Sequence, residues 1–181
     1  MEPPYFQTDR LILRGWRESD REPFFQMNSD PRVMRHFPAA LSRPESDDMM
    51  DRIVADLESR GFGLYAVEPL AGGGFAGYVG LWVPTFQAPF MPAVEIGWRL
   101  AERFWNQGLA TEAARAVVAH AFGPLGLGEL VSMTVPDNLS SRRVMEKLGM
   151  THDPADDFDH PRLPDGHPLK RHVLYRIRNS G

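Results

Sequence analysis

The strongest constraint on the fold of this chain is an apolar stripe in which alanine predominates. Its members follow the i, i+3, i+4, i+7 spacing of one helical face through three turns, and they are Ala110, Ala113, Ala114, Val117, Val118, Ala121 and Phe122. The spacing predicts a helix over 108–122. A face made mostly of alanine lets that helix lie close to the layer beneath it. Because the segment AVEIGWRL at 93–100 reads as a strand directly before it, the sequence predicts a helix packed closely on a sheet.

Apolar periodicity in the rest of the chain predicts five further strands and three further helices. The strands are predicted at 10–16, 62–69, 75–83, 129–135 and 172–178. The helices are predicted at 18–29, between a capping box at Ser42–Glu45 and Gly61, and at 140–147. This order is typical of a mixed sheet with helices packed against it, in the α/β or α+β class. No linker divides the chain, so we expect one domain over residues 1–181.

Composition and charge exclude several classes of protein. The chain has 181 residues, of which 43% are hydrophobic and 24% charged, and its net charge is −4. This balance argues against a nucleic-acid partner, which would need a clustered basic face. The absence of cysteine excludes disulfides, thiolate metal sites and a cysteine nucleophile. Because no apolar run is long enough to cross a bilayer and the N-terminus lacks a signal-peptide pattern, we expect a cytoplasmic protein without a membrane partner.

The start of the helix over 108–122 is a candidate anion site. The first four N–H groups of a helix have no intrahelical partner, and the helix dipole adds to their attraction for an anion. Gly108 and Ala110 carry little or no side chain, so a phosphate could approach the backbone there. The alternative is a tight strand-to-helix turn that needs glycine and binds nothing. The sequence contains neither a P-loop nor a G-x-G-x-x-G dinucleotide motif at this point.

Three segments of the chain resemble the GNAT superfamily of acetyl-CoA-dependent N-acetyltransferases. They are EIGWRLAERFWNQGLATEA (Glu95–Ala113), VPDNLSSRRVMEKLGM (Val135–Met150) and RLILRGWRESD (Arg10–Asp20), and the last is typical of the RimJ/RimL-like branch. The resemblance covers nearly the whole chain, in order. It implies a mixed, mostly antiparallel central sheet that is flanked by helices and splayed between strands 4 and 5, here 93–100 and 129–135. It also implies acetyl-CoA as a co-substrate and no metal.

The resemblance further implies which residues bind acetyl-CoA. The backbone amides of Gln107, Gly108, Leu109, Ala110 and Thr111 would hold the coenzyme pyrophosphate. The backbone of Trp98, Arg99 and Leu100 would pair with the pantetheine arm, and a bulge in that strand would free an amide for the thioester carbonyl. Asn138 would hydrogen-bond the arm, and Ser141 would lie near the sulfur.

Two positions depart from the family pattern. The loop before the helix often begins with Gln or Arg, where this chain has Trp105, which removes a side-chain contact but leaves the backbone amides. Many members place a tyrosine in the second conserved segment as general acid toward the leaving thiolate, where this chain has Met145. We expect Ser141 to take that role, directly or through water. The demand on an acid is small, because a thiol has an ordinary pKa of about 8.5 and its thiolate leaves readily.

Glu95 is the candidate general base. Attack on a thioester needs an unprotonated amine, and the strand that would present the thioester carries Glu95 between Val94 and Ile96. A partly buried carboxyl group has a raised pKa, which suits proton abstraction near neutral pH. The alternative is a glutamate on the polar face of a half-buried strand, with positioning and an oxyanion donor supplying the rate. Glu95, Ser141 and Asn138 together form the candidate catalytic set.

Aromatic residues and two loops complete the candidate site. Trp16, His36, Phe37 and Trp82 are candidates for lining an acceptor pocket, although core packing is the ordinary role of such side chains. The apolar loop over 84–93 either folds back on the core or is covered by a second subunit, and from it we expect a homodimer. The segment over 152–172 holds four histidines and five aspartates, but their spacing does not single out a metal site.

Three functions are compatible with these features. The first is acetyl transfer from acetyl-CoA to a primary amine, on a protein N-terminus or a small molecule, by direct attack in a ternary complex. The net charge mildly favours a cationic acceptor. The second is an acyl-CoA sensor or regulatory module without catalysis, which the missing tyrosine supports and the joint presence of Glu95, Asn138 and Ser141 opposes. The third is a nucleotide- or phosphate-binding protein of another fold, which the segment Asn138–Met150 opposes.

Overall fold

The computed structural model describes residues 6–179, and a mixed β-sheet forms its centre. The strands of this range are β1 (Phe6–Gln7), β2 (Leu11–Arg14), β3 (Leu64–Pro69), β4 (Gly77–Trp82), β5 (Glu95–Leu100), β6 (Glu129–Thr134), β7 (Thr151–His152), β8 (Phe158–Asp159) and β9 (Arg171–Arg178). Its helices are α1 (Arg21–Ser29), α2 (Arg43–Arg60), α3 (Leu109–Phe122) and α4 (Leu139–Lys147). The strands lie in the order β1-β2-β3-β4-β5-β6-β9-β7, and β8 pairs with β9.

The sheet is antiparallel on both sides of its middle, where β5 runs parallel to β6. β4 and β5 pair over six consecutive positions, from Gly77 opposite Leu100 to Trp82 opposite Glu95. In contrast, β5 and β6 pair at one position of the described chain, Glu95 opposite Val131. The two strands therefore diverge toward the C-terminal end of β5. The mostly antiparallel sheet, splayed between the fourth and fifth predicted strands, is confirmed.

Helix α3 covers one face of the sheet through its alanines. Ala113, Ala114 and Val117 are fully buried, in one apolar cluster with Val79 of β4 and Ile96 of β5. Small side chains at the contact allow the helix axis to lie close to the strands. The close packing predicted from the alanine face is confirmed.

Helices α1 and α2 cover the opposite face of the same strands. Phe24 of α1 and Ile53 of α2 pack with Tyr78 of β4 in a second apolar cluster. The α2 helix starts at the predicted capping box, where the Ser42 amide donates to Glu45 Oε2 at 2.8 Å. It ends at Gly61, which has a φ of 74°. Both predicted boundaries of α2 are therefore confirmed.

The sequence pattern does not predict the three shortest strands, β1, β7 and β8. Each has two residues, which is too few to establish a period. The segment over 152–172, which is predicted to be a loop, accordingly contains β8 and a 3₁₀ turn at Pro154–Asp156. Residues 1–5, part of the N-terminal segment that lacks a signal-peptide pattern, lie outside the described range. Among the described helices, none has the length and apolarity that crossing a bilayer requires.

Candidate active site

The chain enters α3 through a turn in which two residues adopt left-handed backbone angles. After a 3₁₀ turn at Glu102–Phe104, Asn106 has a φ of 57° and Gly108, the N-cap residue, has a φ of 77°. The first hydrogen bond of the helix runs from the Glu112 amide to the Gly108 carbonyl oxygen at 3.0 Å. The backbone amides of 107–111 have no hydrogen-bond partner within residues 6–179. The candidate anion site is therefore a group of unpaired donors at the positive end of the α3 dipole.

Polar side chains tie this turn to the segment before β2. The Glu112 carboxylate accepts hydrogen bonds from Thr8 Oγ1 at 2.6 Å, the Arg10 amide at 2.9 Å and Arg10 Nε at 2.6 Å. Arg10 Nη1 also donates to the Gln107 carbonyl oxygen at 2.9 Å. Burial opposes the charge on Glu112, but the bonds from Thr8 and Arg10 outweigh it and lower the pKa of Glu112. Sequence reasoning misses this contact, because Arg10 and Glu112 are 102 residues apart.

Trp98 presents its backbone to the gap where β5 and β6 diverge. Along a strand, N–H and C=O groups point alternately to the two neighbouring strands. The even-numbered residues point toward β6, since the carbonyl oxygen of Val94, just before β5, accepts from the Val131 amide at 3.0 Å. On the same side the Leu100 carbonyl oxygen accepts from Trp105 Nε1 at 2.7 Å. Trp98 lies between Val94 and Leu100 and beyond Glu95, the last position at which β5 pairs with β6. Its N–H and C=O therefore face the gap between the two strands.

The bulge implied by the family resemblance is not found in β5. Pairing with β4 continues residue by residue from Glu95 to Leu100. The Ala101 amide extends this pattern by donating to the Ala76 carbonyl oxygen at 2.9 Å, so the Arg99 backbone points to β4 as well. A free amide arises here from the divergence of two strands and not from an extra residue. The implied bulge is thus absent over 95–100, and the pantetheine contact of the Arg99 backbone stays a prediction that this pairing opposes.

Glu95 lies at the start of β5, where β5 pairs with β6. Its neighbours across the sheet are Trp82 of β4 and Val131 of β6. The residue is half-buried, and the loss of water around its carboxyl group raises the pKa of Glu95 to about 8. Within the described chain no cation and no hydrogen-bond donor offsets this effect. A carboxylate in such surroundings takes up a proton readily near neutral pH, as a general base must.

Asn138 and Ser141 lie at the start of α4. Asn138 Oδ1 accepts from the Ser141 amide at 3.3 Å and from Ser140 Oγ at 3.0 Å, and Asn138 Nδ2 donates to Thr134 Oγ1 at 2.9 Å. The Oδ1 end of this side chain thus caps α4, and the Nδ2 end ties the cap to the last residue of β6. The Ser141 hydroxyl has no hydrogen-bond partner in the part of the chain that the structure describes. Met145, at the position of the family's tyrosine, is a core residue with 1% of its surface exposed.

Phe37 and Trp82 lie on the same side of the sheet as Glu95. Trp82 is directly opposite Glu95 in the β4–β5 pair. Phe37, in the loop between α1 and α2, is 37% exposed, and its ring centroid is 4.0 Å from Cζ of Arg99. Arg99 shares the Glu95 face of β5, because side chains four residues apart along a strand point the same way. Both aromatic side chains are therefore placed where an acceptor could reach them.

The other two acceptor candidates differ in position. Burial and the charge of Arg35 lower the pKa of His36, while the charge of Asp137 acts in the opposite direction. Because Asp137 lies just before α4, its effect on His36 indicates that the α1–α2 loop lies near the start of that helix. Trp16 instead packs edge-to-face against Phe24, with ring centroids 5.0 Å apart. Trp16 therefore belongs to the core between α1 and the sheet and does not line an open pocket with Glu95.

The apolar loop over 84–93 folds back on the chain. Its Phe86 and Phe90 rings pack against Phe158 of β8, with centroids 6.1 and 4.9 Å apart, over Val131 and Leu174 of the sheet. Of the two alternatives for this loop, folding onto the core is the one observed. The loop therefore gives no support to the predicted homodimer.

Two histidines of the segment over 152–172 join this aromatic cluster. The rings of His160 and His172 lie 5.1 Å apart, and burial lowers the pKa of each. Burial among aromatic neighbours therefore favours the neutral form of both imidazoles. Within residues 6–179, no three His, Asp or Glu side chains lie close enough together to hold a metal ion.

The chain is similar to known proteins in both sequence and structure. The family described as "Acetyltransferase (GNAT) domain" matches residues 10–151. The FsC-acetyl coenzyme A-N(2)-transacetylase of Aspergillus fumigatus is 34% identical over 163 residues, which are 82% of this chain and 66% of that protein, just under two thirds of its length. The crystal structure of an acetyltransferase from Agrobacterium tumefaciens is 28% identical with a TM-score of 0.77, over 98% of this chain and 96% of that one.

A ribosomal α-N-protein acetyltransferase, RimL, solved in complex with coenzyme A, has a TM-score of 0.76 over 97% of this chain and 98% of its own. Because the sequence identity is 19%, this similarity shows that the fold is shared and nothing more.

Proposed function

We propose, from the premise that this chain belongs to the GNAT acetyltransferase family, that it transfers the acetyl group of acetyl-CoA to a primary amine by direct attack in a ternary complex. Family membership carries the acetyl-CoA-dependent acyltransferase activity itself. The observation that carries the finer proposal is the half-buried carboxyl group of Glu95, which has no neighbouring cation or donor in the described chain and lies at the head of β5, on the strand whose open edge begins beyond it. The acceptor amine belongs to a protein N-terminus or a small molecule.

The groups that would hold acetyl-CoA follow the open edge of β5 and the start of α3. The unpaired amides of 107–111 suit the pyrophosphate, because they donate hydrogen bonds and need no side-chain charge. The free N–H and C=O of Trp98, together with the Leu100 amide on the same side, suit the amides of the pantetheine arm. The Trp98 amide is also our candidate donor to the developing oxyanion, since it lies on this edge close to Glu95.

Glu95 would accept the proton that the amine loses. In the proposed reaction the amine nitrogen forms a bond to the thioester carbonyl carbon, the carbon–sulfur bond breaks, and coenzyme A leaves as a thiolate. The amine proton passes to Glu95 directly or through one water, and the Ser141 hydroxyl donates toward the sulfur. An α-amino group, with a pKa near 8, loses its proton at neutral pH far more easily than a lysine, with a pKa near 10.4.

Asn138 supports the site chiefly by positioning. Its side chain holds the first turn of α4 and so fixes Ser141. The direct bond to the coenzyme arm implied by the family resemblance would have to be shared with this cap, because both ends of the amide already have partners.

Several finer features stay predictions. The segment Arg10–Asp20 supports the RimJ/RimL-like branch, and the pKa of an α-amino group supports an N-terminal or comparably acidic amine. The homodimer and the cytoplasmic location rest on the sequence. Light scattering on the purified protein would measure the mass in solution directly.

A non-catalytic acyl-CoA-binding module is the alternative function. The burial of Met145, where many relatives have an acidic tyrosine, favours it. Such a module would keep the amides of 107–111 and would have no use for a half-buried carboxyl group with a raised pKa at Glu95.

Calorimetric titration with acetyl-CoA, coenzyme A and ATP, followed by an amine panel, tests the proposal. We expect acetyl-CoA to bind at micromolar strength, ATP to bind much more weakly, and at least one primary amine to be acetylated. Binding without turnover on any amine would favour the sensor. No binding of either coenzyme would contradict the proposed role of the α3 amides.

The contact between Arg10 and Glu112 predicts a role in coenzyme binding. Replacing Glu112 with Gln keeps the shape of the side chain and removes the charge that holds Arg10 against the Gln107 carbonyl. Because Arg10 is half exposed, we expect a loss of roughly 1 kcal/mol, seen as an increase of about fivefold in KM for acetyl-CoA. Steady-state kinetics measure it, with Glu58→Gln on the exposed face of α2 as control. An unchanged KM with a reduced kcat would contradict this role.

A further inference from the structure

Arg99 carries a buried charge without a counterion. Only 8% of its surface is exposed, yet no carboxylate of residues 6–179 forms an ion pair with it. Its one hydrogen bond runs from Nη1 to Asn28 Oδ1 at 2.6 Å, and the buried Nε has no partner in the described chain. A guanidinium has five N–H donors, and buried charges are ordinarily paired. Arg99 therefore has donors left for an anion that this chain does not supply.

The surroundings of Arg99 hold its side chain in one place. Asn28, which accepts from Nη1, donates in turn to Ser46 Oγ at 3.0 Å, and both residues are fully buried. The guanidinium packs against two rings, with Cζ 4.0 Å from the centroid of Phe37 and 5.5 Å from that of Tyr78. A positioned guanidinium loses little conformational freedom when it binds an anion. The half-exposed Phe37 leaves this group close to the surface.

Arg99 and Glu95 lie on one face of β5 with open space between them. Gly97 occupies the position between them on that face, and a Cβ atom built on it would meet no atom within 4 Å. Strand geometry places the Cα atoms of Glu95 and Arg99 about 13 Å apart. Tyr78 lies near enough to both side chains for their charges to act on its hydroxyl. The face thus presents a carboxylate, an uncovered stretch of strand and a cation, in that order.

We propose that the acceptor amine carries an acidic group, a carboxylate or a phosphate, which Arg99 binds while the amine lies at Glu95. This inference rests on the proposed function, because it assigns the amine to Glu95. A planar guanidinium with free donors matches an oxyanion in charge and in geometry. The spacing of Glu95 and Arg99 along β5 favours an acceptor whose amine and acid are separated by several bonds. The proposed acceptor is therefore zwitterionic, in contrast to the cationic acceptor that the net charge of the chain favours.

A ladder of ω-amino acids tests the inference. The probes are glycine, 4-aminobutyrate, 6-aminohexanoate and 8-aminooctanoate, each beside its neutral carboxamide, with 6-aminohexyl phosphate as the phosphate probe. We expect kcat/KM for the acid to exceed that for its carboxamide by about 10- to 100-fold at one of the longer lengths. Glycine should give no preference. Comparing the phosphate with the 6-carbon acid distinguishes the two anions.

Two variants connect the preference to Arg99. Arg99→Gln removes the charge, and Asn28→Asp supplies a carboxylate to it from within the chain while leaving Arg99 in place. In both variants the ratio of kcat/KM for the acid to kcat/KM for its carboxamide should fall close to one. Because both values come from the same variant, a general loss of activity or folding does not change this ratio. A ratio near one in the unchanged protein at every length, or a ratio that survives both variants, overturns the inference and leaves the proposed function standing. No turnover with any amine overturns both.

Discussion

Replacing Glu95 with Gln is expected to lower kcat by about 10²- to 10⁴-fold, the range that a positioned general base contributes. Gln keeps the shape of the side chain at the head of β5 but cannot accept the amine proton. The half-buried carboxyl group has no hydrogen-bond or charged partner to lose in the described chain, so the fold should tolerate the change. Stopped or steady-state assays at saturating acetyl-CoA measure the effect. Glu129→Gln is a matched control, because Glu129 is ion-paired with Arg176 and Arg178 away from the gap.

The pH profile gives the same prediction a second readout. Burial raises the pKa of Glu95 to about 8, so the carboxylate is present above that pH and is lost as the pH falls through it. The rate should therefore rise with pH through about 8. A hydrazide acceptor, which is already unprotonated across this range, separates this titration from that of the amine. Glu95→Gln should remove the rise. A rate within about threefold of the original, with the rise retained, would mean that positioning alone supplies the catalysis.

Ala110→Asp is expected to weaken acetyl-CoA binding by about 10²- to 10³-fold. The residue is the second of α3, half-buried, among the unpaired amides. A carboxylate there would compete for those amides and repel the pyrophosphate, at an energy of a few kcal/mol for charges about 4 Å apart near a protein surface. The same carboxylate stabilises a helix N-terminus, so folding should not suffer. Loss of binding would therefore reflect the site itself.

Ala110→Asn is the matched control, because it has the same size and hydrogen-bonding reach without the charge. Calorimetry with acetyl-CoA on both variants, together with their melting temperatures, separates charge from bulk. If the two variants bind equally, the amides of 107–111 are not the pyrophosphate site, whatever the absolute loss.

Local features of the sequence predicted the fold and the part of the candidate site that lies at the start of α3. The alanine face of α3, the capping box at Ser42 and the unpaired amides after Gly108 follow from residues within a few positions of one another. Sequence pattern could not predict that Asn28 holds Arg99, since 71 residues separate them. The family resemblance assigned the Arg99 backbone to the coenzyme, whereas the notable part of this residue is its side chain, a buried cation without a carboxylate partner in the described chain. It also implied a bulge, where strand divergence frees the amide instead.

The single pair between β5 and β6 also concerns the stability of the protein as a whole. Because β5 and β6 pair at one described position, some backbone amides of β5 have no partner strand, and the Trp98 amide is one of them. We expect such amides to exchange their hydrogens with water without local unfolding. A substrate arm lying along that edge would act as a missing strand. By mass action, coenzyme at 100 times its Kd would add about 2.7 kcal/mol to the free energy of unfolding. Hydrogen exchange should slow at Trp98 on loading, and the abundance of the folded protein would then follow the supply of its own substrate.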